Sequence, residues 1–119
     1  PGIYSARYAG DHASDEDNLR KILTALHGRK AAERTARYCC ALVYMRWDRD
    51  PFPLISQASW EGRIVEAPRG SGGFGYDPIF ELPERAITVA ELPAAEKNQL
   101  SHRGQALRGL VAQLKREAR

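Results

Sequence analysis

Two stretches of this chain carry residue types that could do chemistry. One is Arg69-Gly70-Ser71-Gly72-Gly73-Phe74-Gly75-Tyr76-Asp77-Pro78-Ile79-Phe80; the other is Glu96-Lys97-Asn98-Gln99-Leu100-Ser101-His102-Arg103-Gly104. Four of the six residues Gly70 to Gly75 are glycines, and glycine suits a backbone that takes positive φ or approaches a ligand closely. A loop that only had to turn has no use for Phe74 and Tyr76, so the pair points to a flat ligand stacked on a ring. In the second stretch His102 and Arg103 fall in the first turn of the last helix. There the positive end of the dipole disfavours a cation by a few tenths to about 1 kcal/mol. A local rule broken in this way marks a functional position, unless Arg103 merely pairs with an acidic neighbour.

The glycines formally satisfy G-x-G-x-x-G, but a dinucleotide loop must lie between a strand and a helix. Here Tyr76-Asp77-Pro78 and an expected strand follow, and no Lys-Ser or Lys-Thr completes a P-loop. A single-stranded RNA-binding module is the alternative, because Gly73-Phe74-Gly75-Tyr76 matches the middle of an aromatic strand motif whose rings stack on bases. Against it, Asp77 repels phosphate and Pro78 removes a ladder donor. A purine nucleotide accounts for more of the residues. Phe74 stacks, Asp77 and the loop amides pair with the base, and Lys97, His102 and Arg103 bring donors. Donors from Arg103 and Lys97 match a C6 keto oxygen and leave the amino group of adenine unmatched.

These stretches need elements to hold them. Ser14 caps a helix whose first turn holds Asp15, Glu16 and Asp17, with Asp17 at capping-box spacing. Leu19, Ile22, Leu23 and Leu26 form its apolar stripe, and Gly28 stops it. Residues 1–10 lack a clean period and read as irregular chain. Arg37 to Trp47 reads as a strand apolar on both faces, so both faces are expected to be covered. Few helices are at hand to cover it, which hints at a part of the fold outside this sequence. Leu54 to Trp60 returns antiparallel and continues to Val65 with a bend at Gly62. Pro78 to Leu82 is a third short strand, and Thr88 to Gln99 a helix broken at Pro93. Ser101 caps the last helix, with a stripe of Ala106, Leu107, Leu110, Val111 and Leu114.

The 119 residues are 43% hydrophobic and 28% charged, enough for one core and ordinary for soluble protein. The apolar runs fall far short of the roughly 20 residues that span a bilayer, and no leader is expected at the opening residues. A cytoplasmic protein without a membrane partner is expected. The net charge of +3 suits a small anion or nucleic acid. Much of the excess comes late, in Arg103, Arg108, Lys115, Arg116 and Arg119, where a solvated basic last turn accounts for it. Cys39 and Cys40 point to opposite faces of a strand and are expected as buried free thiols. His12, His27 and His102 show no metal-ligand spacing.

At the two stretches, and at Pro1-Gly2-Ile3-Tyr4-Ser5-Ala6-Arg7-Tyr8-Ala9-Gly10 and Ser101-His102-Arg103-Gly104-Gln105-Ala106-Leu107, the chain resembles the inosine triphosphate pyrophosphatases, also called dITP/XTP pyrophosphatases. The resemblance covers the whole chain. It implies an α/β fold with a mixed, mostly antiparallel sheet flanked by helices in three α/β/α layers, incomplete at the N-terminal side. It further implies hydrolysis of inosine, deoxyinosine and xanthosine triphosphates to monophosphate and pyrophosphate, which cleanses the nucleotide pool, by a cytoplasmic homodimer. Phe74, Gly75, Tyr76, Asp77, Lys97, His102 and Arg103 are then the substrate-binding residues, with no nucleic-acid partner. The family's phosphate loop, its Asp-Asp-Ser-Gly stretch with the general base, and its Mg²⁺ ligands precede the point matching Pro1. Residues 1–119 are therefore expected to be one partial domain, a base-recognising C-terminal portion without catalytic or metal residues of its own and inactive alone.

Overall fold

The structure, a computed structural model, describes residues 1–118; Arg119, counted above among the late basic residues, lies outside the described residues. Among the described residues there are three α-helices: α1 (Asp15–Ala25), α2 (Ala94–Leu100) and α3 (His102–Glu117). Four strands, β1 (Thr35–Tyr44), β2 (Leu54–Ile64), β3 (Phe80–Leu82) and β4 (Ile87–Thr88), form one sheet in the order β1-β2-β3-β4. Arg63 lies opposite Glu81 and Ile64 opposite Phe80 across the antiparallel β2–β3 pair, and β4 runs antiparallel to β3. The α/β fold with an antiparallel sheet flanked by helices is as expected; β4 is a fourth strand that the sequence did not announce. The residues group into two compact units: Pro1–Ala36 with Glu61–Ala94, and Arg37–Trp60 with the chain from Ala95.

The first unit holds the tightest core. Ile79, Phe80, Leu82 and Val89 are essentially inaccessible, and Leu19, Ile22, Ile64 and Leu92 are buried. Each such side chain contributes about 1.5–3 kcal/mol through removal from water. Ser14 caps α1 in a full capping box: its Oγ accepts from the Asp17 amide at 3.1 Å, and the Asp17 carboxylate accepts from the Ser14 amide at 3.0 Å. Those bonds hold the Asp17 carboxyl below the usual carboxylate range. The opening residues are not irregular. Gly2–Arg7 is a 3-10 helix, held because the buried Asn18 side chain donates to Ala6 O at 2.9 Å and accepts from Ala9 N at 2.8 Å. No local period encodes bonds that span nine and twelve residues.

Gly62 sits inside the continuous strand β2, where an added Cβ would collide with the Phe80 ring and stand 2.8 Å from Glu81 O. The glycine makes room for the ring opposite. β3 begins at Phe80 rather than Pro78, after a 3-10 turn over Asp77–Ile79.

In the second unit α3 packs on β2. Ser56 Oγ donates to Ala106 O at 2.6 Å, and Gln113 donates to Ile55 O at 2.9 Å. The buried face is therefore centred on Ala106, and two members of the expected stripe point outward, Leu107 at 55% and Val111 at 40% exposure. Helix periodicity leaves a choice between adjacent faces, and the bonds to β2 make it. β1 ends at Tyr44 rather than Trp47. The expectation that both its faces are covered does not hold among the described residues, since Cys39, Ala41 and Val43 are exposed while Tyr38, Cys40 and Leu42 are half-buried. For the same reason the thiols are free but not buried: Cys39 is exposed and Cys40 only half-covered. Arg46 closes the hairpin by donating to Asp50, Phe52 O and Glu117.

Candidate functional site

Phe74, Gly75, Tyr76 and Asp77 come together in the first unit, on a glycine loop pinned from several sides. Asp77 is 4% exposed, and its Oδ2 accepts from the Phe74 amide at 3.0 Å. The carboxylate is thus turned into its own loop. Gly73 takes φ +72°, and a Cβ there would strike the Asp77 carboxylate, so the loop needs glycine at this position. The Gly75 amide donates to Asp15 Oδ2 at 2.9 Å, and Tyr76 Oη donates to Ser5 O at 2.6 Å. Burial, with the nearby Tyr8 and Asp15 adding to it, pushes the Tyr76 phenol up from its ordinary value. The Phe74 ring is left 59% exposed. An exposed ring on a fastened backbone is able to serve as a stacking surface for a flat ligand without reordering the loop.

The anchors Asp15 and Ser5 escaped the sequence reading, which took Asp15 as a first-turn acid only. Its side chain does stand at the start of α1, but it serves a loop sixty residues on. Behind the loop, Thr88 Oγ1 donates to Arg69 O at 2.7 Å, and the Arg69 guanidinium donates to Glu81 at 2.7 Å.

Lys97, His102 and Arg103 come together in the second unit, at the junction of α2 and α3. Ser101 Oγ accepts from the Gly104 amide at 3.0 Å and so caps α3 as expected. His102 occupies the first helical position, half-buried, with its ring stacked on Tyr38 at 4.9 Å and an interplanar angle of 14°. Arg103 beside it is exposed. The Ser101 amide donates to Lys97 O at 2.9 Å, which ties the two helices together at this corner. Tyr38 is a further residue of this corner that the sequence did not reveal, since the alternation of β1 gives its face but not its neighbour.

The acid Glu81 is 5% exposed between Arg63 and Arg69. Hydrogen bonds from Arg63 and then Arg69 hold its carboxyl below the usual glutamate range. A carboxyl lowered on folding stabilises the fold above its unfolded value of about 4.3 and loses that contribution as pH falls through the lower folded value. Denaturant midpoints measured down through pH 4 are therefore expected to fall more steeply for the native chain than for Glu81→Gln; parallel curves would refute this role. Among the described residues no three His, Cys, Asp or Glu side chains come together as a metal site.

The family model that matches this chain is that of the Ham1 family, over residues 1–113. A dITP/XTP pyrophosphatase of Vibrio parahaemolyticus is 58% identical over 114 residues, 96% of this chain and 57% of that protein. Its counterpart in Thioalkalivibrio sulfidiphilus is 57% identical over 114 residues, again 96% of this chain and 58% of that protein. Among solved structures, a HAM1 protein from Coxiella burnetii aligns with a TM-score of 0.90 and 46% identity, over 98% of this chain and 59% of that one. The Ham1 protein of Staphylococcus aureus gives 0.89 and 39%, with the same coverage. The chain thus spans a little under three fifths of the length of these relatives.

Proposed function

The chain belongs to the Ham1 family, and we propose that the protein carrying it hydrolyses deaminated purine nucleoside triphosphates to monophosphate and pyrophosphate, with these residues reading the base. The observation that carries this reading is the fastened glycine loop, which keeps Asp77, Tyr76 and Gly75 in internal bonds and leaves the Phe74 ring outward. Phe74 stacks on the base whatever its identity. Asp77 acts by holding the Phe74 amide, and Gly75 and Tyr76 keep the loop in place. Lys97, His102 and Arg103 supply donors, of which Arg103, always charged, suits the C6 keto oxygen common to inosine and xanthosine. Adenine presents an amino group there and leaves these donors unmatched, a loss that discriminates strongly in a desolvated site.

Attack of water at phosphorus needs charge neutralisation and a base that orients the water. We assign both to residues outside these 119, so no hydrolytic step is routed through the chain's own acids. A cytoplasmic homodimer using Mg²⁺ completes the proposal, on the strength of the family resemblance. No observation favours the RNA-binding alternative: the aromatic motif it needs on a strand lies in a loop here.

The test is hydrolysis of inosine, xanthosine, adenosine and guanosine triphosphates by the full-length protein and by residues 1–119. The full-length protein is expected to prefer the first two over adenosine triphosphate by at least about a hundredfold in kcat/KM, and the 119 residues to release no pyrophosphate. Equal rates on adenosine triphosphate, or robust hydrolysis by the 119 residues, would overturn the assignment.

A further inference from the structure

A cavity of about 380 Å³ in the first unit is lined by Arg29, Arg34, Arg63, Arg69, Glu66 and Glu81, with apolar and backbone surface between them. None of the residues assigned to the base lines it. We propose that this cavity binds a small oxyanion of the phosphate class, with Arg34 as its buried wall and Arg63 and Arg69 as its outer donors.

The argument starts from Arg34, which is 5% exposed. Its guanidinium donates to Ile64 O at 2.7 Å, Leu26 O at 2.7 Å and Val65 O at 2.8 Å. These three acceptors are neutral, and no carboxylate pairs with Arg34 among the described residues. Carbonyl dipoles satisfy N–H groups but leave the positive charge without a counter-charge, and a buried charge is ordinarily paired. A guanidinium has five N–H groups, so two remain beyond the three bonds made.

The other three arginines have acids nearby. Arg63 and Arg69 share the two oxygens of Glu81, Arg69 also approaches Glu91 at 3.4 Å, and Arg29 stands 3.7 Å from Glu33 in an exposed, weak pair. The shared carboxylate fixes two guanidinium forks at the cavity without using all their donors. Planar guanidinium forks match the oxygens of phosphate, and the volume falls within the range of small-molecule sites, about 300–1,000 Å³. The site does not depend on the purine reading.

Calorimetric titration of orthophosphate, pyrophosphate and chloride into the chain at low ionic strength tests the proposal. One of the two phosphates is expected to saturate a single site; pyrophosphate alone doing so would identify two linked phosphates as the ligand. Arg63→Gln should weaken that binding about tenfold, the loss of a charge-assisted pair. Glu81→Gln, which frees Arg63 and Arg69 from their internal carboxylate, should strengthen it by a similar factor. Absence of saturable heat up to about 10 mM phosphate, equal binding of chloride, or an unchanged affinity in Arg63→Gln would overturn the proposal. Should circular dichroism show Glu81→Gln unfolded, Arg63→Gln decides alone.

Discussion

Arg103→Ala in the full-length protein is expected to lower kcat/KM for inosine triphosphate at least about a hundredfold, equivalent to about 2.7 kcal/mol of transition-state stabilisation. The thermal midpoint is expected to move little. Arg103 is exposed, and it stands at the helix end where a cation opposes the dipole, so its removal does not weaken α3 through that term. In the proposed function its energetic role lies with the ligand, as a cation donating to a keto oxygen, which a neutral methyl cannot replace. Steady-state kinetics with inosine and adenosine triphosphates, paired with a melting curve, separate the two effects. The residual activity on adenosine triphosphate should change least, because that base offers the guanidinium no acceptor at C6. An unchanged rate on inosine triphosphate, or a loss that merely follows a lowered midpoint, would remove Arg103 from the recognition of the base.

The neighbouring Gly104→Ala is expected to behave in the opposite way, with a loss of about 3 kcal/mol of stability. An added Cβ would be driven into Asn98 O and would stand 3.1 Å from the Asn98 carbonyl carbon. Both contacts are backbone, fixed by α2 and by the cap at Ser101, so neither can swing aside as a side chain would. The first turn of α3 must either tilt or break the bond from the Gly104 amide to Ser101 Oγ. Urea unfolding followed by circular dichroism measures the loss directly. A midpoint equal to that of the native chain would show that the junction relaxes without cost. The two variants, adjacent in sequence, thus probe separate properties: one the donor offered to a ligand, the other the close approach of two helices.

Much of the local architecture was legible. The capping box at Ser14, the break at Pro93 and the cap at Ser101 are written in residues three or four apart, and the structure reproduces each. Legible features of this kind depend on bonds within one turn of chain, where spacing and hydrogen-bond geometry are equivalent statements. The failures share the opposite property. The coverage of β1, the exposure of Cys39 and the outward turn of Leu107 and Val111 depend on what stands across from a face, and alternation or helical period names a face without naming its neighbour.

The sequence by itself determined that a glycine loop bearing two aromatics and a helix start bearing a histidine and an arginine are the chemical features of this chain. Composition and spacing suffice for that, because φ preference and the helix dipole act on single residues and single turns. Only the tertiary structure decided what each group does with its atoms. It turned Asp77 inward to hold the Phe74 amide, spent Asp15 on Gly75 and Tyr76 on Ser5, laid His102 on Tyr38, and left Arg34 buried among carbonyls beside a cavity. A polar group takes its partner wherever the fold places one: for Asp15, Tyr76 and His102 that partner lies sixty or more residues away, and two of the three acceptors of buried Arg34 lie thirty or more away.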